Sequence, residues 1–248
     1  RILGVASHME ITGPQEALMD WQALDAQVRQ HPEVRGTAPY VRGQGLLANG
    51  SNPRGALIRG VLPEREDQVS DLSAAMKSGR LSDLKPGEFN ILLGLELARS
   101  LGLAPGDKVA VITPQGTFTP AGLVPRIKQF NVVGVFEAGM YEYDAGLALI
   151  HLEDGQKLYR LGEGVSGLRV KLADMDRAPL VTRALARSLQ GDYFISDWTM
   201  SHANFFRAVA IEKRMMALIL TLIVAVAAFN IISTLVMVVT DKQADIAI

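Results

Sequence analysis

An uncharged apolar run near the end of the chain constrains the fold more than any other feature. From Met215 to Val239 the sequence contains no Asp, Glu, Lys or Arg. A helix of that length extends about 37 Å, which exceeds the roughly 30 Å hydrocarbon core of a bilayer. A surface helix of a soluble domain would carry a polar stripe, but the polar residues here are few and uncharged: Thr221, Asn230, Ser233 and Thr234. The run predicts a transmembrane helix over 215–239, with a buried hairpin helix as the alternative.

The residues before this run have the composition of a water-soluble domain. The 248-residue chain is 48% hydrophobic, which allows one large domain or two small ones with a full core. A net charge of −1 and the lack of a basic block predict no nucleic-acid partner. The chain has no cysteine, which excludes disulfides, thiolate zinc sites and a cysteine nucleophile. Because Arg1 is not an initiator methionine and Ile248 follows the apolar run closely, we expect this chain to be part of a longer protein.

The order of the segments predicts an α+β fold. Most strand-like segments are followed by another strand-like segment, with only occasional helices between them. Two extended runs, 34–48 and 55–61, flank the cluster from Asn49 to Pro53, which is typical of a β-hairpin turn.

The helices expected outside this hairpin include one near each end of the chain. Thr12 to Gln15 reads as a helix start with Thr12 as its cap, and the helix is expected to end at His31, before a proline. Its apolar face would be Leu18, Trp21, Leu24 and Val28. A second helix is expected from about His202 into the apolar run, because no Pro or Gly occurs between His202 and Ile248.

The sequence contains no group of residues that indicates catalysis. The four histidines are scattered and lack an H-E-x-x-H pattern: His8, His31, His151 and His202. No phosphate-binding glycine loop and no G-x-S-x-G element occurs. The neighbouring acids Glu137, Glu142 and Asp144 are most simply a solvated loop. We therefore expect no enzyme activity, no metal and no cofactor in this chain.

The segment from Thr119 to Lys128 is unusual for a surface loop. Two prolines and a glycine bracket apolar residues, and cationic residues follow directly. Exposed apolar residues are unfavourable unless a partner or a neighbouring part of the fold covers them. From the residues alone, a preorganised hook for another protein and a hairpin lying on its own sheet are equally supported.

Three stretches resemble the LolC/LolE family of permease subunits of the lipoprotein-releasing ABC transporter. They are FFRAVAIEKRMMALILTLIVAVAAFNIISTLVMVVTDKQADIAI, LKPGEFNILLGLELARSLGLAPGDKVAVITPQG and TPAGLVPRIKQFNVVGVFEAGMYEYDAGLALIHLED. Together they cover most of the chain. No single motif is as specific as a nucleotide loop, so the resemblance rests on order and context.

The resemblance implies a MacB-like periplasmic core domain over 1–206 plus one transmembrane helix. A mixed α/β lobe near the membrane would comprise about 1–50 and 166–206, and a β-rich upper lobe about 51–165. A helix over 207–241 would contain the span, and 242–248 would begin a cytoplasmic segment. The charges that precede the span argue against a periplasmic location of this domain. With Arg207, Lys213 and Arg214 on that side, the positive-inside rule would place the domain in the cytoplasm.

The resemblance also implies a function and partners. The protein would lie in the inner membrane of a Gram-negative bacterium, with its main domain in the periplasm. It would work with a LolD-like ATPase, a second permease subunit and a LolA-like periplasmic chaperone, and its substrates would be lipoproteins taken from the bilayer. ATP would be hydrolysed by the separate ATPase subunit. An FtsX-type signalling scaffold and a MacB-type efflux permease are the alternatives.

Specific residues follow from the same resemblance. The P-x-G-x-x-P pattern matches a chaperone-binding hook formed by Pro120, Ala121, Gly122, Leu123, Val124 and Pro125. An adjacent polar pad would use Arg126 and Lys128, whereas Ile127 departs from the family pattern. Lipid or substrate contact in the span would involve Met215, Met216, Leu220, Val224, Phe229 and Ile232.

Overall fold

The computed structural model describes residues 7–14, 17–119, 122–189, 191–201 and 203–246. The chain divides into two compact units, one ending at Trp198 and the other beginning at Thr199. The described strands are β1 Met9–Thr12, β2 Val34–Asn49, β3 Asn52–Val61, β4 Met76–Ser78, β5 Asn90–Gly94, β6 Lys108–Thr119, β7 Gly122–Phe136, β8 Leu147–His151, β9 Gly167–Leu172 and β10 Phe194–Asp197. The described helices are α1 Trp21–Arg29, α2 Pro63–Glu66, α3 Leu95–Leu101, α4 Tyr141–Gly146, α5 Leu152–Tyr159, α6 Ala178–Ser188, α7 Trp198–Ser201 and α8 Ala203–Ile246.

The described strands of the first unit form a single mixed sheet. Nine of them follow the order β10-β1-β9-β2-β3-β8-β5-β7-β4, and β6 pairs with β2 and β7 off this path. The long β2 connects the parts of this sheet, because its first half pairs with β9 and its second half pairs with β3 and β6. Strands adjacent in sequence and helices on the sheet give the α+β class that the sequence predicts.

The predicted hairpin between β2 and β3 is confirmed. The two strands pair up to Asn49 and Asn52, which leaves a two-residue turn. Gly50 in that turn has φ +61°, a conformation that costs glycine little and other residues more.

Strands β5 and β8 are buried along their whole length and separate two apolar clusters. Successive side chains of a strand point to opposite faces. Accordingly, Ile91 and Ile150 belong to the larger cluster, whereas Leu92 and Leu149 belong to the smaller one. The sheet therefore has covered faces on both sides at its centre, which explains the near-continuous apolar sequence of these strands.

The predicted helix start at Thr12 is wrong. Thr12 ends β1, and α1 begins only at Trp21. Strand β1 pairs on both sides, with β9 and with β10, and the side chains of Met9 and Ile11 are fully buried in the larger apolar cluster. This tertiary pairing outweighs the local capping signal, which is a weak prior. The predicted capping partner Gln15 lies outside the described residues.

The second unit contains α8, a helix of 44 residues without a break among the described residues. Its stretch Ile211–Asp241 contains an 18-residue window with a mean hydropathy of 2.6, and the stretch is long and apolar enough to cross a bilayer. The hydroxyls of Thr221 and Thr234 each donate to a carbonyl four residues earlier, at 2.8 Å. These bonds satisfy polar groups within the helix, as an apolar surrounding requires. The boundaries predicted for the lobes and the cytoplasmic segment stay predictions.

Candidate functional site

Strands β6 and β7 form the hairpin that carries the predicted hook. Its outer part pairs Thr117 with Val124 and Thr119 with Gly122. The expected loop over 120–125 is therefore mostly strand: Gly122, Leu123, Val124 and Pro125 lie in β7, and their backbone pairs with or faces β6. Pro120 and Ala121 lie outside the described residues.

A bulge separates the outer hairpin from its base. The register shifts between Thr113 and Thr117, so β6 has more residues than β7 at this level. Pro114 and Pro125 lie within the shift and both are exposed. A proline has no N–H to donate to the ladder, and prolines in strands are confined to edges and bulges. The two prolines thus explain where the ladder is interrupted.

The predicted pad residues lie in the base of this hairpin, where β7 pairs with β6 without a shift. Arg126 donates from Nη1 to the carbonyl oxygen of Lys157 in α5, at 3.2 Å. Lys128 is exposed, and its Nζ lies 3.8 Å from the centre of the Phe89 ring. Side chains alternate along a strand, so Arg126 and Lys128 share one face of β7.

Helix α5 is fixed to β2 by Tyr159. A Cβ on Gly43 would come within 2.2 Å of the Tyr159 ring, so only glycine leaves room for this contact. The Tyr159 hydroxyl donates to the carbonyl oxygen of Gln44, at 3.4 Å. Burial of the hydroxyl raises the pKa of Tyr159 above its usual value, because the phenolate would lose hydration. The acceptor of Arg126 therefore lies on a helix that is anchored to the sheet.

The opposite face of the hairpin base exposes aliphatic side chains. Leu46, Ile112 and Ile127 are directly paired across β2, β6 and β7. Leu46 is 46% exposed and Ile127 is 63% exposed. Beside them lies a groove of about 550 Å³ lined partly by Leu57 and Pro125. Of these three residues, only Ile127 stood out in the sequence. Leu46 lies in the predicted extended run 34–48, but the strand pairing that brings the three together depends on distant segments and was not predictable.

The predicted contact residues of the apolar span all lie on α8 and are exposed. At 3.6 residues per turn, Met216, Leu220 and Val224 fall within about 80° of one another around the helix axis. The other three lie on the other side of the helix: Met215, Phe229 and Ile232. The six residues therefore form two faces instead of one.

The described histidines have structural partners. His8, His31 and His151 each accept a backbone N–H at Nδ1, at 3.1 to 3.3 Å. His202 lies outside the described residues. Among the residues that the structure describes, no group of three or more His, Asp or Glu is arranged to hold a metal ion.

The chain is similar to proteins of known families. Residues 2–188 match the family described as MacB-like periplasmic core domain. The "Lipoprotein-releasing system transmembrane protein LolC" of Neisseria meningitidis serogroup B (strain ATCC BAA-335 / MC58) is 50% identical over 249 residues. The protein of the same description from Xylella fastidiosa (strain 9a5c) is 47% identical over 248 residues. Both alignments cover 100% of this chain and 60% of the relative, so the chain spans about three fifths of their length.

A solved structure shares the fold. The periplasmic region of MacB from Actinobacillus actinomycetemcomitans superposes with a TM-score of 0.50 and 15% identity, over 83% of this chain and 95% of that one. At this identity the likeness concerns the fold alone. It confirms the α+β fold that the sequence resemblance implies.

Proposed function

The chain belongs to the LolC/LolE family and carries a MacB-like periplasmic core domain, and on that premise we propose that it is part of a lipoprotein-releasing permease. The permease would extract lipoproteins from the inner membrane and pass them to a LolA-like periplasmic chaperone. The observation that carries this proposal is the likeness of 50% and 47% identity, over the whole chain, to two proteins named for lipoprotein release. Their names also favour a LolC-type subunit.

In this proposal the partners divide the work. A LolD-like ATPase hydrolyses ATP on the cytoplasmic side, and a second permease subunit, identical or different, completes the membrane part. The domain before α8 lies in the periplasm. Helix α8 carries motion from the ATPase to that domain, which is supported by its 44 residues without a break and by the lack of Pro and Gly after His202.

The β6–β7 hairpin is the proposed docking element for the chaperone. Its strands are paired above and below the proline bulge, so little chain entropy is lost when a partner binds it. The apolar residues Leu123 and Val124 would enter the partner, while Arg126 and Lys128 would offer cationic donors at the base. Arg126 already uses one donor on the Lys157 carbonyl, and its other N–H groups could serve the partner.

The two faces of the span have separate proposed roles. Met216, Leu220 and Val224 would contact the acyl chains of the lipoprotein, because they form a continuous apolar strip. Met215, Phe229 and Ile232 would face bilayer lipid or the second subunit.

Reconstitution of the full-length protein tests the proposal. Proteoliposomes would contain the protein, its second subunit, the LolD-like ATPase and a triacylated lipoprotein, with a LolA-like chaperone outside. We expect ATP-dependent appearance of the lipoprotein in the soluble fraction only when the chaperone is present. Lipoprotein that stays in the membrane with both ATP and chaperone would refute the proposal.

Charge reversal separates this function from its alternatives. Arg126→Glu combined with Lys128→Glu should abolish transfer to the chaperone and leave ATP hydrolysis intact. Arg54→Glu, at an exposed position of β3, is the matched control and should transfer normally. A signalling scaffold or an efflux permease would show no chaperone-dependent transfer even in the wild-type protein. Normal transfer by the double variant would instead refute the docking role of Arg126 and Lys128.

A further inference from the structure

Phe89 has a backbone conformation that a bulky residue rarely adopts. Its φ is +54°, and among the described residues only Arg160 is another non-glycine with positive φ. The left-handed region brings the Cβ of an L-residue close to the following carbonyl, which is unfavourable for an aromatic side chain. Such strain persists only where surrounding contacts impose it, and it is often associated with function.

Hydrogen bonds on both sides of Phe89 impose this conformation. The carboxylate of Asp154 is fully buried and accepts the N–H of Gly87 at 2.9 Å and the N–H of Phe89 at 3.1 Å. The carbonyl of Phe89 accepts the backbone N–H of Asn131 in β7 at 2.9 Å. The residue is thus held between α5 and the hairpin strand β7.

The ring of Phe89 lies between two side chains of β7. Phe130 packs edge-to-face against it, with ring centres 5.5 Å apart at 85°. The ammonium group of Lys128 lies 3.8 Å from the ring centre. Lys128 and Phe130 are two residues apart on β7 and so point to the same side. The buried Phe130 therefore fixes the ring against which Lys128 rests.

We propose that Phe89 is a positioning residue that holds the Lys128 ammonium group in place at the base of the β6–β7 hairpin. A lysine side chain is flexible and pays an ordering cost when a partner binds it. An aromatic face attracts the cation but leaves its charge uncompensated, whereas a carboxylate would neutralise it. The cation thus stays available to an acidic or polar partner surface. The role of Lys128 as a partner contact rests on the proposed chaperone docking. The positioning of Lys128 by Phe89 does not.

The positioning can be measured without any partner. The full chain in nanodiscs is labelled by reductive ¹³C-dimethylation, which keeps the lysine charge, and the Lys128 signal is assigned with Lys128→Arg. A methyl group over a ring is shifted upfield, so we expect the Lys128 signal to lie upfield of the other exposed lysines. Phe89→Leu should remove the upfield shift and Phe89→Tyr should retain it. Tyr141→Leu, which removes an exposed aromatic ring elsewhere, is the control.

The consequence for docking is measured with the purified LolA-like chaperone. Phe89→Leu should weaken binding about two- to fivefold, the range of an exposed cation–π contact, and Phe89→Tyr should restore it. In a Lys128→Met background, Phe89→Leu should have no further effect, which a merely structural role would not produce.

The outcomes distinguish the two proposals. An unshifted Lys128 signal in the wild-type chain, or an equal loss of affinity from Phe89→Leu with and without Lys128, overturns the positioning role. An upfield signal that depends on Phe89, in a chain that binds no chaperone, supports the positioning and overturns the proposed docking. Both an upfield signal and a coupled loss of affinity support the whole inference.

Discussion

Replacement of Glu66 by Gln should destabilise the first unit strongly. Glu66 in α2 is fully buried and pairs with Arg169 in β9, which is 1% exposed. The same carboxylate accepts the hydroxyl of Ser70 at 2.7 Å. Arg59 is also buried in this cluster, where burial and then the charge of Arg169 lower its pKa. The negative charge of Glu66 therefore offsets the repulsion between the buried guanidinium groups of Arg59 and Arg169.

The magnitude follows from the burial of both partners. Removal of one partner of a buried ion pair costs about 3–5 kcal/mol, because the other charge remains desolvated. Glu66→Gln keeps the shape of the side chain, so packing contributes little. For a domain of 150–250 residues, each kcal/mol lowers the melting temperature by about 2–4 °C. We therefore expect a decrease of about 6–20 °C.

Thermal unfolding of the full chain, followed by tryptophan fluorescence, measures this change. Glu64→Gln removes the same charge at an exposed position of α2 and should shift the melting temperature by no more than about 2 °C. The double variant Glu66→Leu with Arg169→Met should recover part of the loss, since apolar residues of similar volume can replace a buried pair, while Arg59 stays buried without Glu66. A melting temperature for Glu66→Gln within about 2 °C of the wild type would show that Glu66 does not compensate the buried guanidinium groups.

Two further predictions concern pH and the long helix. Burial, and next the charge of Lys171, lower the pKa of His8 below its ordinary 6.5. As the pH falls, the unfolded chain therefore takes up the proton first. The stability that His8 contributes is present above pH 6.5 and is lost as the pH falls from 6.5 through the lower pKa of the folded state. His8→Asn keeps an acceptor for the Leu172 N–H. Between pH 8 and pH 5 its melting temperature should change less with pH than that of the wild type. An equal change in both proteins would contradict this role of His8. Ala208→Pro removes a hydrogen bond within α8 and kinks the helix, so ATP-dependent lipoprotein transfer should fall while ATP hydrolysis continues. Ala208→Leu is the control. Normal transfer by Ala208→Pro would contradict the coupling role of α8.

Elements with strong local signals were predictable from the sequence. The turn at Gly50 follows from residues that tolerate positive φ between two extended runs. Helix α8 follows from the uncharged run and the absence of helix breakers. In both cases the determining interactions lie within a few residues of one another, so a short window contains them.

Elements that depend on distant partners were not predictable. Thr12 has the features of a helix cap, but β9 and β10 pair with β1 and hold Thr12 in a strand. The prolines near the hairpin tip indicated a loop, yet a bulge accommodates Pro125 within β7. A local propensity differs between conformations by a fraction of a kcal/mol, which is less than the gain from burying and pairing a strand.

The amino-acid sequence alone indicates that this chain combines a membrane-length helix with an α+β domain, because the length and periodicity of apolar segments are local properties. The sequence also identified Arg126 and Lys128 as candidate cationic residues for binding a partner. The surroundings of these two residues are visible only in the folded chain: Arg126 contacts the Lys157 carbonyl near the end of α5, and Lys128 contacts the strained Phe89. These contacts join segments that are distant along the chain, and they exist only because the sheet brings β7, α5 and the turn before β5 together.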